Sequence, residues 1–278
     1  MAAVLHPDWL IPDWPAPAGV RAVFTTRAGG ESAPPYDSLN LGSHVGDSPD
    51  SVAANRALLE RAIGTQAVFL SQVHGSAVLP LDAATPDGQT ADGCVTAQRR
   101  LACTVMVADC LPVLLATQDG RAVGAAHAGW RGLAGVGEDS GQGILEAAHA
   151  SLTMLGQTGR APSTVKVKVK VMAWLGPCIG PDAFEVGPEV KAAFEARQPQ
   201  AGRLFVQIAA GKYLANLPAL ARLRLQALGV EQVYGNDGSL PWCTVGNPSR
   251  FFSHRRDAGV NGNGRGTTGR MAACIWLD

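Results

Sequence analysis

Charge is scarce in this 278-residue chain: Asp, Glu, Lys and Arg make up 17% of it, and 23 acidic residues balance 23 basic ones. A neutral chain has no electrostatic footprint for nucleic acid or an anionic membrane, so the expected partner is a small or uncharged molecule. The proline-rich start, Met1 to Pro17, lacks the basic segment and apolar run of a signal peptide. The apolar C-terminal stretch Met271–Leu277 falls far short of the ~20 residues that span a bilayer. A cytoplasmic location is the expectation. No C-x-x-C pair joins Cys94, Cys103, Cys110, Cys178, Cys243 or Cys274, which excludes the common structural zinc spacings. They read as reduced thiols, mostly filling the core, with one or two left for chemistry. Internal repeats and linkers are absent too, and only Gly259 to Gly266 is compositionally biased.

What the chain does have is apolar residues, 46% of the total, enough for a sizeable core. Val20–Thr26 reads as a strand. Ser48 and Pro49 open a helix as N-cap and first helical residue, and Gly64 closes it. Its buried side is expected at Val52, Leu58, Leu59 and Ile63. Ala67–Leu70 reads as a strand and Leu81–Gly93 as a loop. The almost unbroken apolar run Cys103–Thr117 reads as one strand buried on both faces. Helices are expected over Gly141–Leu155, stopped by Gly156, and over Pro188–Arg197 and Asn216–Leu228. Val165–Val171, with lysines alternating against valines, is expected to be a strand with one face in solvent. Trp174–Gly180 reads as a turn, and Val230–Tyr234 and Met271–Trp276 as the closing strands. The predicted architecture is a single α+β domain over residues 1–278, with mixed sheets flanked by helices.

The chemistry concentrates between Ala108 and Gly132. Asp119-Gly120 is a strong hairpin turn, because Asp-Gly tolerates the positive φ that such turns need. With those two residues at the centre, opposing residues sum to 239. Pro112 then faces His127, and Cys110 and His127 share a face as diagonal neighbours. A second imidazole stands upstream in Ser71-Gln72-Val73-His74-Gly75. Two nitrogens and one sulfur suit a zinc site with its fourth position open. Gly124, Gly129 and Gly132 leave room for a ligand or a backbone to approach closely. Spacing by itself leaves the alternative of a buried thiol and unrelated histidines.

The motifs carry a resemblance. Ser71–Gly75, Ala108-Asp109-Cys110-Leu111-Pro112, Ala126-His127-Ala128-Gly129-Trp130-Arg131-Gly132, Gly176-Pro177-Cys178-Ile179-Gly180-Pro181, Phe184-Glu185-Val186-Gly187, Phe252-Ser253-His254-Arg255-Arg256-Asp257 and Thr268-Gly269-Arg270-Met271 resemble the YfiH, or laccase-domain, family. The likeness runs from about Phe24 to Trp276 in unbroken motif order. It implies an architecture shared with the cytotoxic-necrotising-factor deamidases. It also implies zinc on His74, Cys110 and His127, with copper able to take the same ligands. The implied reaction is phosphorolysis of purine nucleosides (adenosine, inosine, guanosine or methylthioadenosine) to base and pentose 1-phosphate, with adenosine deamination as a second activity. The polyphenol-oxidase label that travels with the family fits poorly, because six histidines are few for several coppers. Two departures stand out: no cysteine directly precedes Phe184, and Ala258–Gly266 is an insertion.

The candidate roles follow. Asp109 is expected to orient a histidine. Arg27, Arg131, Arg255 and Arg256 are candidate anion holders, while Gln72 and Asn40 are candidates to read a base or ribose edge. His44 and His254 are candidate substrate contacts, and Trp130 is a core residue or a stacking surface. A monomer acting on a purine nucleoside and phosphate is expected. The competing reading is a metal-free hydrolase or amidase with Cys110 as nucleophile and His127 as base. The third is a non-catalytic binding module.

Overall fold

A computed structural model describes residues 5–136, 142–158, 169–257 and 267–278. Two sheets stack face to face. The four-stranded one runs β1 (Val20–Phe24), β13 (Met271–Leu277), β5 (Leu101–Val107) and β2 (Gln66–Phe69). The six-stranded one runs β12 (Gln232–Gly235), β8 (Val171–Leu175), β6 (Leu111–Thr117), β7 (Val123–Ala128), β4 (Gly93–Thr96) and β3 (Val78–Pro80). Both mix parallel and antiparallel pairs. A small third sheet joins β10 (Phe205–Ala209), β11 (Lys212–Ala215) and β9 (Glu185–Val186). This is the mixed-sheet α+β architecture that the residue pattern predicts.

Side-chain alternation explains the layering. Cys103, Val105 and Val107 of β5 meet Leu114 and Ala116 of β6 between the two sheets, together with Phe24, Trp174 and Ile275. The opposite face of β5, Ala102 and Met106, packs with Leu59 and Ile63 of α1 (Pro49–Ile63). The opposite face of β6, Val113 and Leu115, packs with Ile144, Leu145 and Leu152 of α3 (Ile144–Gln157) and Leu220 and Leu225 of α5 (Leu217–Ala227). Each fully buried Leu, Val or Phe contributes about 1.5–3 kcal/mol, so burial on both strand faces is the main source of cohesion. Helix α1 has the expected ends: Ser48 accepts a bond from the Ser51 N–H, and Gly64 closes it at φ 69°.

The structure corrects several expectations. Cys103–Thr117 is two strands, β5 and β6, which belong to different sheets. The break falls at Asp109, at φ 89°. Apolarity is continuous across the break because both strands are double-faced, so periodicity gives no sign of it. The short strands β3, β4 and β9–β11 carry no sequence signal of their own, and β4 begins at Gly93, the last residue of the expected loop. Trp174 and Leu175 end β8 rather than form a turn. Helix α3 passes through Gly156, where a Cβ would stand 3.0 Å from Thr117 Cγ2, so packing and not termination requires glycine there. Gly141, most of the expected lysine-valine strand (165–168) and the insertion at 258–266 lie outside the described residues. The hairpin register is the predicted one, with Leu111 opposite Ala128 and Pro112 opposite His127. No helix among the described residues is long and apolar enough to cross a membrane.

Candidate metal centre

Three chain segments meet at one end of the stacked sheets. His74 follows β2, Cys110 ends the β5–β6 turn, and His127 lies near the end of β7. Their ligand atoms all fall within 4.8 Å of one another. His74 Nε2 is 3.5 Å from Cys110 Sγ, and the two imidazoles stand edge to face with centroids 4.8 Å apart. A tetrahedral zinc with arms of about 2.0 Å to nitrogen and about 2.3 Å to sulfur has an N···S edge of about 3.5 Å, so the donor set fits that ion. Gly129 keeps the cluster open: a Cβ there would stand 2.7 Å from His74 Cδ2 and 3.2 Å from Cys110 Sγ.

Asp92 holds this arrangement together, and the sequence reading missed it. Pairing of Gly93 with Ala126 places Asp92 beside His127. Its backbone carbonyl accepts the His127 N–H at 2.7 Å. Its fully buried carboxylate bonds His127 Nδ1 at 2.8 Å. The same carboxylate accepts the backbone N–H groups of Val73, His74 and Gly75 at 3.1, 2.8 and 2.7 Å. His74 adopts φ 63°, which lets these successive N–H groups converge as an anion nest. One carboxylate therefore fixes one histidine through its ring and the other through its backbone. Burial opposes ionisation of Asp92, yet the bonds from His127 and the backbone outweigh it and hold the pKa below 3.8. With Nδ1 engaged, His127 Nε2 is left for the cluster.

Asp109, expected to orient a histidine, serves a different purpose. Its carboxylate accepts the Thr244 hydroxyl and the Arg255 backbone N–H, each at 2.6 Å, and its carbonyl accepts the Ile179 N–H at 2.9 Å. These bonds lock the turn that presents Cys110. Asp92 takes the histidine because strand pairing brings it there, 35 residues away in sequence.

Burial works against both charges of the Cys110–His127 pair, but their mutual attraction, with the Asp92 bond to His127, prevails. Cys110 is lowered from 9.0 to about 6 and His127 is raised from 6.5 to about 9. In metal-free protein the thiolate–imidazolium pair therefore exists between those values. The share of stability from Cys110 is lost as pH falls through about 6, and that from His127 as pH rises through about 9. The other five cysteines are buried. Iodoacetamide should thus modify Cys110 alone, with a rate midpoint near pH 6, and His127→Gln should move that midpoint upward. A wild-type midpoint near 9 would show that the pair does not form.

A cavity of about 330 Å³ opens over the cluster, within the range of small-molecule sites. Met106, Val107, Ile179, Phe184, Leu217 and Trp130 provide apolar walls, and His44, His254, Arg255 and Arg270 provide polar groups. Gln72 also lines it, but its amide bonds the backbone N–H and carbonyl of Met106. The remaining candidates lie elsewhere. Buried Asn40 is spent on Gly42, Asp47 and the Arg270 N–H. Arg27 pairs with Asp37, and Arg256 pairs with Asp257 and clamps the carbonyls of Thr244 and Phe251. Arg131 lies over the Trp130 ring on α2 (Trp130–Ala134), outside the cavity lining. Arg270, of the Thr268–Met271 motif, joins the wall instead.

Residues 21–278 match the family described as multi-copper polyphenol oxidoreductase laccase. The Escherichia coli protein named purine nucleoside phosphorylase YfiH is 44% identical over 270 residues, covering 96% of this chain and 98% of its own. A purine nucleoside phosphorylase of Pseudomonas aeruginosa is also 44% identical, over 97% of this chain and 98% of its own. Among solved structures, a Neisseria meningitidis protein superposes with a TM-score of 0.82 at 44% identity, covering 98% of this chain and 99% of that one. YlmD of Geobacillus stearothermophilus gives 0.76 at 32% identity, over 94% and 92%. This chain belongs to the multi-copper polyphenol oxidoreductase laccase family, the family of YfiH.

Proposed function

We propose that this chain is a zinc-dependent purine nucleoside phosphorylase that also deaminates adenosine. The observation that carries the reading is the meeting of His74, Cys110 and His127 at the base of a largely apolar cavity. The names borne by its relatives support it. Adenosine, inosine, guanosine and methylthioadenosine are the proposed substrates.

His74, Cys110 and His127 would hold the ion, which supplies Lewis-acid charge to one face of the cavity. Phosphorolysis breaks the bond between the ribose anomeric carbon and the base nitrogen, and joins that carbon to a phosphate oxygen. The chain must therefore hold phosphate and ribose in line and meet the negative charge that develops on the departing base. Phe184, Ile179, Leu217 and Trp130 offer flat or apolar surface to a purine and exclude water. His44 and His254 stand in the wall as hydrogen-bonding groups.

The test is to assay protein of known zinc content with adenosine, with and without phosphate. Adenine and ribose 1-phosphate are expected only when phosphate is present, and inosine in either case. Fully zinc-loaded protein that releases no adenine would overturn the reading.

The Cys110–His127 ion pair gives some support to a metal-free cysteine hydrolase. His74 separates the two, since a dyad works without it and the metal site does not. Copper on the same three ligands is the remaining variant. Two of the six histidines sit in this cluster, which supplies one metal position and not several.

A further inference from the structure

The cavity wall holds a cation, Arg270, that has no counter-ion among the described residues. Arg270 precedes β13, and its backbone is fixed by Asn40 and Leu41. Its stem lies against Gly42, where a Cβ would stand 2.7 Å from Arg270 Cγ. Nη1 donates to the carbonyls of Thr268 and Gly269 at 2.9 and 3.2 Å. Nε and Nη2 have no acceptor among the described residues, and Arg270 belongs to no ion pair among them. Burial depresses its pKa, while Cys110, Asp109 and Tyr36 act from a distance to raise it.

The four arginines expected to hold an anion are otherwise engaged or lie outside the cavity. Arg27 and Arg256 are ion-paired, and Arg131 covers Trp130. Arg255 lines the cavity with its guanidinium donating to the carbonyls of Ala183 and Glu185. Arg270 alone of these five combines a place in the cavity wall with two uncommitted nitrogens. A half-buried guanidinium without a counter-ion is costly, and a planar fork matches two oxygens of an anion. Arg270 lines the same cavity as His74, Cys110 and His127, so the fork and the proposed metal ligands face one shared space.

We propose that Arg270 is the phosphate-binding residue of this site, taking two oxygens of inorganic phosphate on Nε and Nη2. This rests on the phosphorylase reading and names the subsite that such a reaction needs. The bound phosphate lies between Arg270 and the His74–Cys110–His127 cluster, where its free oxygen faces the ribose.

Inorganic phosphate binding to wild-type, Arg270→Gln and Arg270→Lys proteins of matched zinc content tests this, alongside nucleoside binding without phosphate. Losing a bidentate charged contact should weaken phosphate binding about 100-fold in the glutamine variant and about tenfold in the lysine variant. Nucleoside binding and zinc content should stay unchanged, and the KM for phosphate should rise without that for nucleoside. Unchanged phosphate affinity in both variants overturns the proposal and leaves phosphorolysis standing. Phosphate binding that Arg270→Gln abolishes, in a wild type that cleaves no nucleoside, supports the subsite and overturns the phosphorylase reading. Should the glutamine variant not fold, the lysine variant decides: a tenfold loss supports the proposal and no loss overturns it.

Discussion

Cys110→Ala protein is expected to purify without stoichiometric zinc and to lose phosphorolysis by about 1,000-fold or more. Cys110 is the one anionic donor of the three, and its removal leaves two imidazoles with nothing to balance the ion's charge. Lewis-acid stabilisation is worth several kcal/mol, and each 1.36 kcal/mol is about tenfold in rate. Stability of the metal-free protein should also fall modestly at neutral pH, because the variant removes the thiolate that pairs with the His127 imidazolium. Zinc quantification, turnover and denaturant midpoints on the same preparations give the answer. A variant that retains one zinc per chain and full turnover sinks the metal assignment. Loss of activity in Cys110→Ala with full activity in His74→Ala would instead point to the cysteine hydrolase.

Asp92→Asn should be nearly as damaging, although it alters no ligand and barely changes shape. Oδ1 bonds the His74 N–H and the His127 ring, and Oδ2 accepts the Val73 and Gly75 N–H groups. An amide nitrogen at either position would face two groups that were donating to it. A buried donor without a partner costs about 1–3 kcal/mol, so a loss of about 3 kcal/mol is expected in the metal-free protein. Zinc affinity should fall about 10–100-fold, the usual effect of losing a carboxylate that orients a ligand. With less to favour the His127 imidazolium, the pH midpoint of Cys110 alkylation should also rise. Below pH 3.8 wild-type protein loses the same stabilisation, because the depressed pKa of Asp92 contributes only where the carboxylate is ionised. Wild-type zinc affinity in Asp92→Asn would show that the backbone positions both histidines unaided.

Local chemistry made much of this legible. The Ser48-Pro49 start and Gly64 stop of α1 are dictated within a few residues by capping and left-handed backbone. Asp119-Gly120 set the β6–β7 register, and register put Cys110 and His127 on one face. The β5–β6 break was hidden, because strands buried on both faces leave no alternation to interrupt. The arginines misled for a related reason: Arg27 and Arg256 look like free cations in a string of letters, and only folding brings Asp37 to Arg27 and the Thr244 carbonyl to Arg256.

The sequence by itself determined the α+β pattern with mixed sheets, the hairpin and the shared face of Cys110 and His127, which depend on residue type and short-range spacing. The third ligand candidate, His74, came with the motif resemblance and not from spacing. The tertiary structure decided which carboxylate serves the site. Asp92 reaches His127 through β4–β7 pairing and His74 through a nest of backbone N–H groups, while Asp109, adjacent to the thiol, turns away to Thr244 and Arg255. It also decided which arginines line the cavity, Arg255 and Arg270, and tied the Arg255 guanidinium to backbone carbonyls. Such choices follow from strand order and loop docking, which bring together residues 18 to 230 positions apart, and no local pattern encodes them.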